Sequence, residues 1–166
     1  MNLTLARATE ADLPFIMATE RLEGYAALVG NWEEQRHREA LADGSHAYFI
    51  GLDGPHPVGF ATLRHWNSAD GVTLVRRVAV ATPGRGQGRK LLAGVADRVF
   101  EETAAYRLHI GLFPENLRAR RAYEAAGFTP EGIARAAVFF GGVHRDELVM
   151  SLLRPEWQAR RKPSAG

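Results

Sequence analysis

The stretch TLVRRVAVATPGRGQGRKLL (73–92) carries the signal that decides the fold. It begins as a β-like apolar run, passes through a turn with three glycines and two arginines, and continues as a helix-like run. A helix N-terminus offers unpaired backbone N–H groups and the positive end of a dipole, and glycine lets a backbone approach a ligand closely. The stretch therefore predicts a strand, an anion-binding loop and a helix, with phosphate as the expected anion.

Two common phosphate-binding motifs do not fit this loop. A Walker loop needs G-x-x-x-x-G-K-[ST], and no serine or threonine follows Lys90. A Rossmann loop needs G-x-G-x-x-G, which GRGQGR (84–89) does not match, and no acidic ribose partner stands at the usual distance. The loop therefore belongs to neither class.

Composition narrows the class of protein. The chain has 166 residues, which favours one domain, predicted here over 1–154 and followed by a solvated C-terminal tail over 155–166. With 21 basic and 19 acidic residues the net charge is +2, so neither nucleic acid nor a membrane surface is an expected partner, despite RARR at 118–121. The absence of cysteine excludes a disulfide, a thiol nucleophile and a thiolate metal site.

The N-terminal sequence does not resemble a targeting segment. It lacks a basic region followed by an apolar stretch, and no apolar run in the chain approaches the ~18 residues of a spanning helix. We therefore expect a cytoplasmic protein.

The hydrophobic pattern along the chain predicts the fold class. Strands are predicted at 3–8, 46–54, 57–67, 71–81, 106–113, 132–140 and 143–153. Helices are predicted at 9–21, 31–44, 89–104 and 114–127, with Thr9 and Asn31 as N-caps and Gly44 and Gly127 as stops. This order predicts a mixed α/β (α+β) fold: a mostly antiparallel, twisted central sheet of six to seven strands, interrupted by one strand–helix–strand unit and flanked by about four helices.

A second segment, PENLRARRAYEAAGF (114–128), places polar side chains along one helix face. Asn116 is a candidate N-cap, and Tyr123 follows seven residues later, two turns and about 10 Å along the axis. Arg120 lies between them. The segment therefore predicts a polar stripe on a helix that begins just after a strand.

Together the two segments resemble the GCN5-related N-acetyltransferase (GNAT) family. VRRVAVATPGRGQGRKLL (75–92) is similar to its motif A, and 116–128 is similar to its motif B, N-x-R-A-x-x-x-Y-E-x-x-G-F. Motif B is matched by Asn116, Arg118, Ala119, Tyr123, Glu124, Gly127 and Phe128. The resemblance covers roughly 3–153, and its specific part is 74–128.

The resemblance implies an acetyl-CoA-dependent N-acetyltransferase without a metal. Val78 to Val80 would pair with the pantetheine, the glycine loop would bind the pyrophosphate, Asn116 would contact the cofactor, and Tyr123 would be the general acid toward the departing thiolate. Backbone N–H groups near Val80 would suit a tetrahedral oxyanion. The implied cofactor-binding residues are Val78, Ala79, Val80, Arg85, Gly86, Gln87, Gly88, Arg89, Lys90, Asn116, Arg120 and Tyr123.

Two departures from the family pattern stand out. Lys90 occupies the last Gly/Ala position of motif A. Ribosomal-protein N-acetyltransferases often carry a Glu on strand five, and Gly111 stands there in this chain, so the general base has moved or is absent. The candidates are His109, which shares a strand face with Gly111 and has a pKa suited to neutral pH, Glu20 and Glu23 near the first helix, or a fixed water.

The C-terminal sequence GIARAAVFFGGVHRDELVMSLL (132–153) resembles the RimJ/RimL-like branch, with Arg135 and Asp146 matching its pattern. Both residues are interpreted as charge-pairing or turn-stabilising. The branch implies a protein N-terminal amine as acceptor. A polyamine or another small amine stays open, because a polyamine site needs several carboxylates and Glu20, Glu23, Glu33 and Glu34 could supply them.

Two further expectations concern other classes and assembly. A non-catalytic acyl-CoA-binding module is the alternative to an enzyme, motivated by the missing glutamate on strand five. Dimers are common in the branch that the sequence resembles, and exposed strand edges at the C-terminal hairpin would permit a homodimer.

Overall fold

The computed structural model describes residues 2–25 and 30–163. Within them the chain forms seven strands and five helices. The strands are β1 Leu3–Arg7, β2 His46–Asp53, β3 His56–Arg64, β4 Val72–Val80, β5 Arg107–Leu112, β6 Thr129–Phe140 and β7 Val143–Leu153. The helices are α1 Leu13–Glu20, α2 Glu34–Ala42, α3 Gln87–Glu102, α4 Leu117–Ala125 and α5 Arg154–Arg161, and a short 3-10 turn over Glu10–Asp12 precedes α1.

All seven strands form one sheet in the order β1-β2-β3-β4-β5-β7-β6. Neighbouring strands are antiparallel except β4 and β5, which are parallel and are joined through α3. A parallel pair needs such a crossover connection, whereas the other connections fold back as hairpins or loops. The expected mixed α/β fold with a mostly antiparallel sheet is confirmed.

The parallel pair is short. β4 and β5 pair from Val72–Arg107 to Val75–Ile110, and the ladder ends there although both strands continue. On its other edge β4 carries a bulge, since Thr62 of β3 faces Arg77 while Leu63 faces Val75, so that Arg76 has no partner. A bulge bends its strand and increases the local twist. The second halves of β4 and β5 therefore stand apart.

Two apolar clusters cover the two faces of the sheet. Helix α3 buries Leu92, Val95 and Val99 on one face, together with Phe49 of β2. Helix α1 buries Leu13 and Ile16 on the other, where they meet the neighbours of Phe49 on β2, Tyr48 and Ile50. The alternation along β2 follows from the two-residue period of a strand, with both faces buried.

Helix α2 is shorter than the sequence predicts. It begins at Glu34 with Glu33 at the N-cap and ends at Ala42, so Asn31 is not its cap and Gly44 not its stop. The reason lies at Trp32, whose backbone N–H donates to the buried Glu20 carboxylate at 3.3 Å and whose indole is 7% exposed. Burial of this indole holds the segment before α2 in a non-helical conformation.

The chain after β7 differs from the predicted tail. Residues 154–161 form α5, which packs on α3 through Trp157: its ring lies 5.2 Å from that of Phe100, and its Nε1–H donates to Asp97 at 2.8 Å. Arg154 donates to three carbonyl oxygens at the end of α3, those of Phe100, Thr103 and Ala105, at 2.8–2.9 Å. A cation suits these unpaired carbonyls and the negative end of the helix dipole.

None of the described helices is both long and apolar enough to cross a bilayer.

Replacing Trp157 tests whether α5 stabilises the fold. Trp157→Ala removes the ring packing and the hydrogen bond to Asp97, and we expect a loss of about 2 kcal/mol in the free energy of unfolding, because the indole is only partly buried. Trp157→Phe keeps most of the packing and should cost about 1 kcal/mol. Urea denaturation measures both, and equal stability of all three proteins would contradict the structural role of α5.

Candidate active site

A cavity of about 1020 Å³ opens where β4 and β5 stand apart. Its walls include residues 74–80 of β4, residues 109–112 of β5, the glycine loop, the start of α4 and residues 137–140 at the tip of β6. This volume is at the upper end of the range that ligand sites in proteins occupy.

The glycine loop turns β4 into α3 at one end of the cavity. Gly84 and Gly86 have φ values of +86° and +70°, a left-handed backbone that favours glycine, and Gly86 is the N-cap of α3. The first turn of α3 carries no acidic side chain. Its unpaired N–H groups and the positive end of the helix dipole therefore point toward an anion site.

The structure distributes the predicted loop residues over two environments. Gly86, Gly88 and Arg89 line the cavity, as do Pro83 and Gly84. Arg85, Gln87 and Lys90 are not among the lining residues: Arg85 is exposed, and Gln87 is 4% exposed. Arg89, which the sequence placed in the same set as Arg85, is thus the loop arginine that faces the cavity.

Helix α4 contributes the predicted asparagine and tyrosine. Asn116 lines the cavity and caps α4, its Oδ1 accepting from the Ala119 N–H at 3.2 Å. Tyr123 also lines the cavity, and burial raises the pKa of its hydroxyl. Arg120 is not among the residues that line the cavity. Its Nε forms an ion pair with a carboxylate oxygen of Glu124 at 3.1 Å.

The predicted residues of β4 lie on the cavity wall. Val78, Ala79 and Val80 all line it. Val80 is held by Tyr25, whose hydroxyl donates to the Val80 carbonyl at 2.7 Å and accepts from its N–H at 3.2 Å. Sequence reasoning missed Tyr25, because it lies 55 residues before Val80 and belongs to no motif.

A carboxylate occupies the space beside Gly111. Gly111 on β5 pairs with Val149 on β7, and Glu147 lies on the same face two residues away. A Cβ added at Gly111 would collide with the Glu147 carboxyl, so this side chain fills the space where a side chain on strand five would begin. Glu147 lines the cavity, and burial raises the pKa of its carboxyl, an effect that Arg76 partly offsets.

The sequence signal for Glu147 existed. In VHRDELVMSLL, Leu148, Met150 and Leu152 form the buried face of a strand, so Glu147 must lie on the other face. What the sequence could not supply was the pairing of β7 with β5, which brings Glu147 over Gly111.

The predicted base candidates lie in three different places. His109 is half-buried on the cavity wall, and burial first, then Arg107, lowers the pKa of its imidazole. Glu20 is fully buried and accepts from His37 Nε2 at 2.8 Å, outside the lining set. Glu23 is exposed and does not line the cavity. Of the three, the structure brings only His109 to the cavity.

The tip of the β6–β7 hairpin closes one side of the cavity. Phe140 packs on Phe113 with ring centroids 5.5 Å apart. A bulge in β6 precedes this contact, with Ala136 at φ +52°, and Asp146 stabilises it by accepting from the Ala136 N–H at 2.8 Å. This agrees with the turn-stabilising interpretation of Asp146. Arg135 is exposed.

The cavity is strongly basic. Its described lining contains one carboxylate, Glu147, and the following arginines: Arg36, Arg64, Arg76, Arg77, Arg89, Arg118 and Arg121. Among the residues that the structure describes, no three His, Asp or Glu side chains come together as a metal site.

Comparison with known proteins identifies the class. The family model described as acetyltransferase (GNAT) family matches residues 14–128, more than half of the sequence. The chain therefore belongs to the GNAT acetyltransferase family. It is also similar to the probable N-acetyltransferase YjcK of Bacillus subtilis (strain 168), with 38% identity over 73 residues. That match covers 44% of this chain and 40% of YjcK, so the chain spans about two fifths of this relative's length.

Solved structures share the fold. A spermidine N-acetyltransferase from Vibrio cholerae in complex with CoA and spermine matches with a TM-score of 0.82 and 20% identity, over 94% of this chain and 98% of that one. The aminoglycoside acetyltransferase AAC(6')-Ib in complex with parmomycin and acetyl-CoA matches with a TM-score of 0.82 and 21% identity, over 99% of this chain and 100% of that one. The GNAT fold predicted from the sequence is confirmed.

The two loop arginines form a matched pair for testing the anion site. We expect Arg89→Ala to weaken CoA binding about tenfold, because a charge-assisted contact to a phosphate is lost. Arg85→Ala, the control, removes the same charge from a side chain outside the cavity and should weaken binding less than threefold. Calorimetric titration of CoA into each protein measures both, and a larger effect of Arg85→Ala would contradict the assignment.

Proposed function

We propose that this protein transfers the acetyl group of acetyl-CoA directly to a primary amine. The observation that carries the proposal is the arrangement at the divergence of β4 and β5. The glycine loop ends the cavity on one side, Tyr123 stands on the α4 wall, and the Glu147 carboxyl stands over Gly111 on the β5 side. Membership of the GNAT acetyltransferase family supports acetyl-CoA as the acetyl donor.

The residues present fit coenzyme A. The N–H groups that begin α3, together with Arg89, suit the diphosphate, and Asn116 lines the path toward α4. The β4 backbone from Val78 to Val80 is the candidate partner of the pantetheine. The Tyr25 hydroxyl is hydrogen-bonded to both the carbonyl and the N–H of Val80. A bound cofactor would therefore contact this hydroxyl or, once the hydroxyl has moved away, the backbone groups of Val80.

Glu147 is the general base that the geometry supports best. It lines the cavity, and burial raises the pKa of its carboxyl toward neutrality, where a base is most effective. In the proposed step the amine attacks the thioester carbon, a C–N bond forms, and the amine proton passes to Glu147. His109 remains the second candidate, although burial and Arg107 lower its pKa and make it a weaker base than an ordinary imidazole.

Tyr123 is the proposed general acid. When the tetrahedral intermediate collapses, the C–S bond breaks and the CoA sulfur takes a proton from the Tyr123 hydroxyl, which solvent then restores. Because burial raises the pKa of this hydroxyl, it stays protonated at neutral pH and acts as a donor. This role also argues against a purely acyl-CoA-binding module, which needs no acid at that position.

A polyamine and a protein N-terminal amine make different demands on the cavity. A polyamine needs several carboxylates, but Glu20, Glu23, Glu33 and Glu34 all lie outside the lining set, and Glu34 binds Arg38 on the outer side of α2. The RimJ/RimL-like pattern of 132–153 favours a protein N-terminal amine. The basic lining favours, within either class, an amine that does not carry further positive charge.

We also propose that the protein is cytoplasmic and forms a homodimer. β6 lies at the edge of the sheet, and its outer side could receive a second copy of the chain.

Tyr123→Phe tests the general acid. We expect kcat to fall about 100-fold with little change in CoA binding, because the substitution removes one hydroxyl and keeps the ring. Turnover with a panel of primary amines and calorimetric CoA binding measure the two quantities. Wild-type turnover with unchanged kcat in the variant would contradict the role, and a wild type that binds CoA but acetylates no amine would favour the binding module.

Glu147→Gln tests the general base through two opposite effects. Wild-type kcat/KM should rise with pH as Glu147 ionises, and the variant should lose this rise together with about 100-fold in rate. Because the native pKa of Glu147 is raised, the native state loses stability as the pH rises from the ordinary glutamate pKa through the raised one. The variant should therefore unfold at a higher temperature than the wild type at neutral pH and at an equal temperature in acid.

Gly111→Ala probes the same carboxyl from the other side. The added methyl group displaces the flexible end of Glu147, so we expect a lower kcat with unchanged CoA affinity. Wild-type activity in Gly111→Ala, together with a retained pH profile in Glu147→Gln, would rule out Glu147 and leave His109 to be tested.

A further inference from the structure

An arginine cluster surrounds Trp32 on the side of the cavity away from the glycine loop. The guanidinium carbon of Arg36 lies 3.9 Å from the indole centroid, that of Arg77 lies at 4.3 Å, and that of Arg64 at 5.7 Å. All three line the cavity, and Trp32 lines it as well. Each guanidinium lies close enough to the indole for a cation–π contact.

Arg76 adds a fourth positive charge at the bulge of β4. Burial lowers the pKa of the Arg76 guanidinium, and the positive charges of Arg64 and then Arg36 lower it further. For Arg77, burial and then Arg76 lower the pKa to about 10. Arg76 and Arg77 therefore remain cationic at neutral pH, and the neighbouring positive charges repel one another.

Carboxylates do not balance the charges of Arg36, Arg64 and Arg76. All 19 acidic residues of the chain lie within the described residues, and Glu147 alone lines the cavity. Glu20 interacts electrostatically with Arg77, and its Oε1 accepts hydrogen bonds from His37, Arg21 and the Trp32 N–H. In the described part of the chain, Arg36, Arg64 and Arg76 form no ion pair.

The cluster lies apart from the loop that fits the cofactor diphosphate. Arg76 precedes Val80 by four residues, about 13 Å along a strand, and the loop begins only after Val80. Glu147 interacts with Arg76, so the proposed base lies next to the cluster. If the acceptor amine binds at Glu147, the rest of the acceptor molecule would therefore lie within reach of these arginines.

We propose that the acceptor is a primary amine that also carries an acidic group, a carboxylate or a phosphate, which binds the Arg36–Arg64–Arg76 cluster beside Trp32. Arginine suits this role because its planar fork binds carboxylate and phosphate oxygens in pairs. Contacts with the Trp32 indole hold the Arg36 and Arg64 guanidiniums in place before the ligand arrives, which reduces the ordering required on binding. The inference rests on the proposed acetyl transfer and specifies its substrate class.

Matched acceptors test the charge requirement. With acetyl-CoA as donor, we would compare kcat/KM for 5-aminopentanoate, 5-aminopentanamide and 1,5-diaminopentane, which share one amine and one chain length and differ in the distal group. We expect the acid to exceed the neutral amide at least tenfold and the diamine to be slowest, with a preference that weakens as salt is added. 3-Aminopropyl phosphate in place of the carboxylate distinguishes the two acidic groups.

Arg64→Gln connects the preference to the cluster. The ratio of kcat/KM for the acid over the amide should fall at least fivefold, because one cationic partner of the acidic group is lost. Arg38→Gln is the matched control: Arg38 pairs with Glu10 and Glu34 outside the cavity, and its loss should leave the ratio unchanged. Equal thermal unfolding temperatures would show that neither substitution disrupts the fold.

The outcomes separate this inference from the proposed function. Acetylation of all three amines at equal rates, or fastest with the diamine, overturns the acidic acceptor and leaves acetyl transfer intact. Acetylation of none of them would count against the proposed function. In that case the acid-binding role of the cluster is tested by calorimetric binding of the acidic amines. Binding of 5-aminopentanoate or 3-aminopropyl phosphate to the protein–CoA complex, weakened in Arg64→Gln, supports the cluster as an acid-binding site, and no binding of either overturns it.

Discussion

The separation of β4 from β5 is the constraint on which the rest of the structure depends. Parallel pairing ends at Val75 and Ile110, and the bulge at Arg76 bends β4 away while the pairing with β3 resumes on its other edge. Had the ladder continued, the backbone of residues 76–80 would be consumed by strand pairing and no cavity would exist. The sheet therefore loses pairing at its centre, and both faces compensate with apolar cores packed against α1 and α3.

Around that separation the charges are unevenly distributed. The loop side offers helix N–H groups and Arg89, the opposite side offers the arginines around Trp32, and one carboxylate stands between them. Burial disfavours the charged form of each titratable group in the cavity, so it raises the pKa of an acid and lowers the pKa of a base. It raises the pKa of Glu147 and of Tyr123 and lowers that of Arg77. Desolvation thus keeps the proposed acid protonated and brings the pKa of the proposed base closer to neutral pH.

Local sequence determined what could be predicted. The strand, loop and α3 follow from glycine chemistry and helical periodicity, and Asn116 and Tyr123 follow from their spacing on one helix. Glu147, Tyr25 and the cluster around Trp32 depend on contacts between distant segments, which periodicity does not encode. Two predicted elements differ from the structure for a similar reason: the start of α2 follows the burial of Trp32, and the helix after β7 follows the packing of Trp157 on α3.

The position of Glu147 couples the register of a surface hairpin to the chemistry of the cavity. β7 holds this carboxyl over Gly111 only while Val149 stays opposite Gly111, and β6 fixes β7 through a bulge that Asp146 braces. Sliding β7 by one residue would turn Glu147 toward the core and Leu148 toward the cavity. Insertion or deletion of one residue within β7 should therefore be far more damaging than a change of residue type at an exposed position of the hairpin.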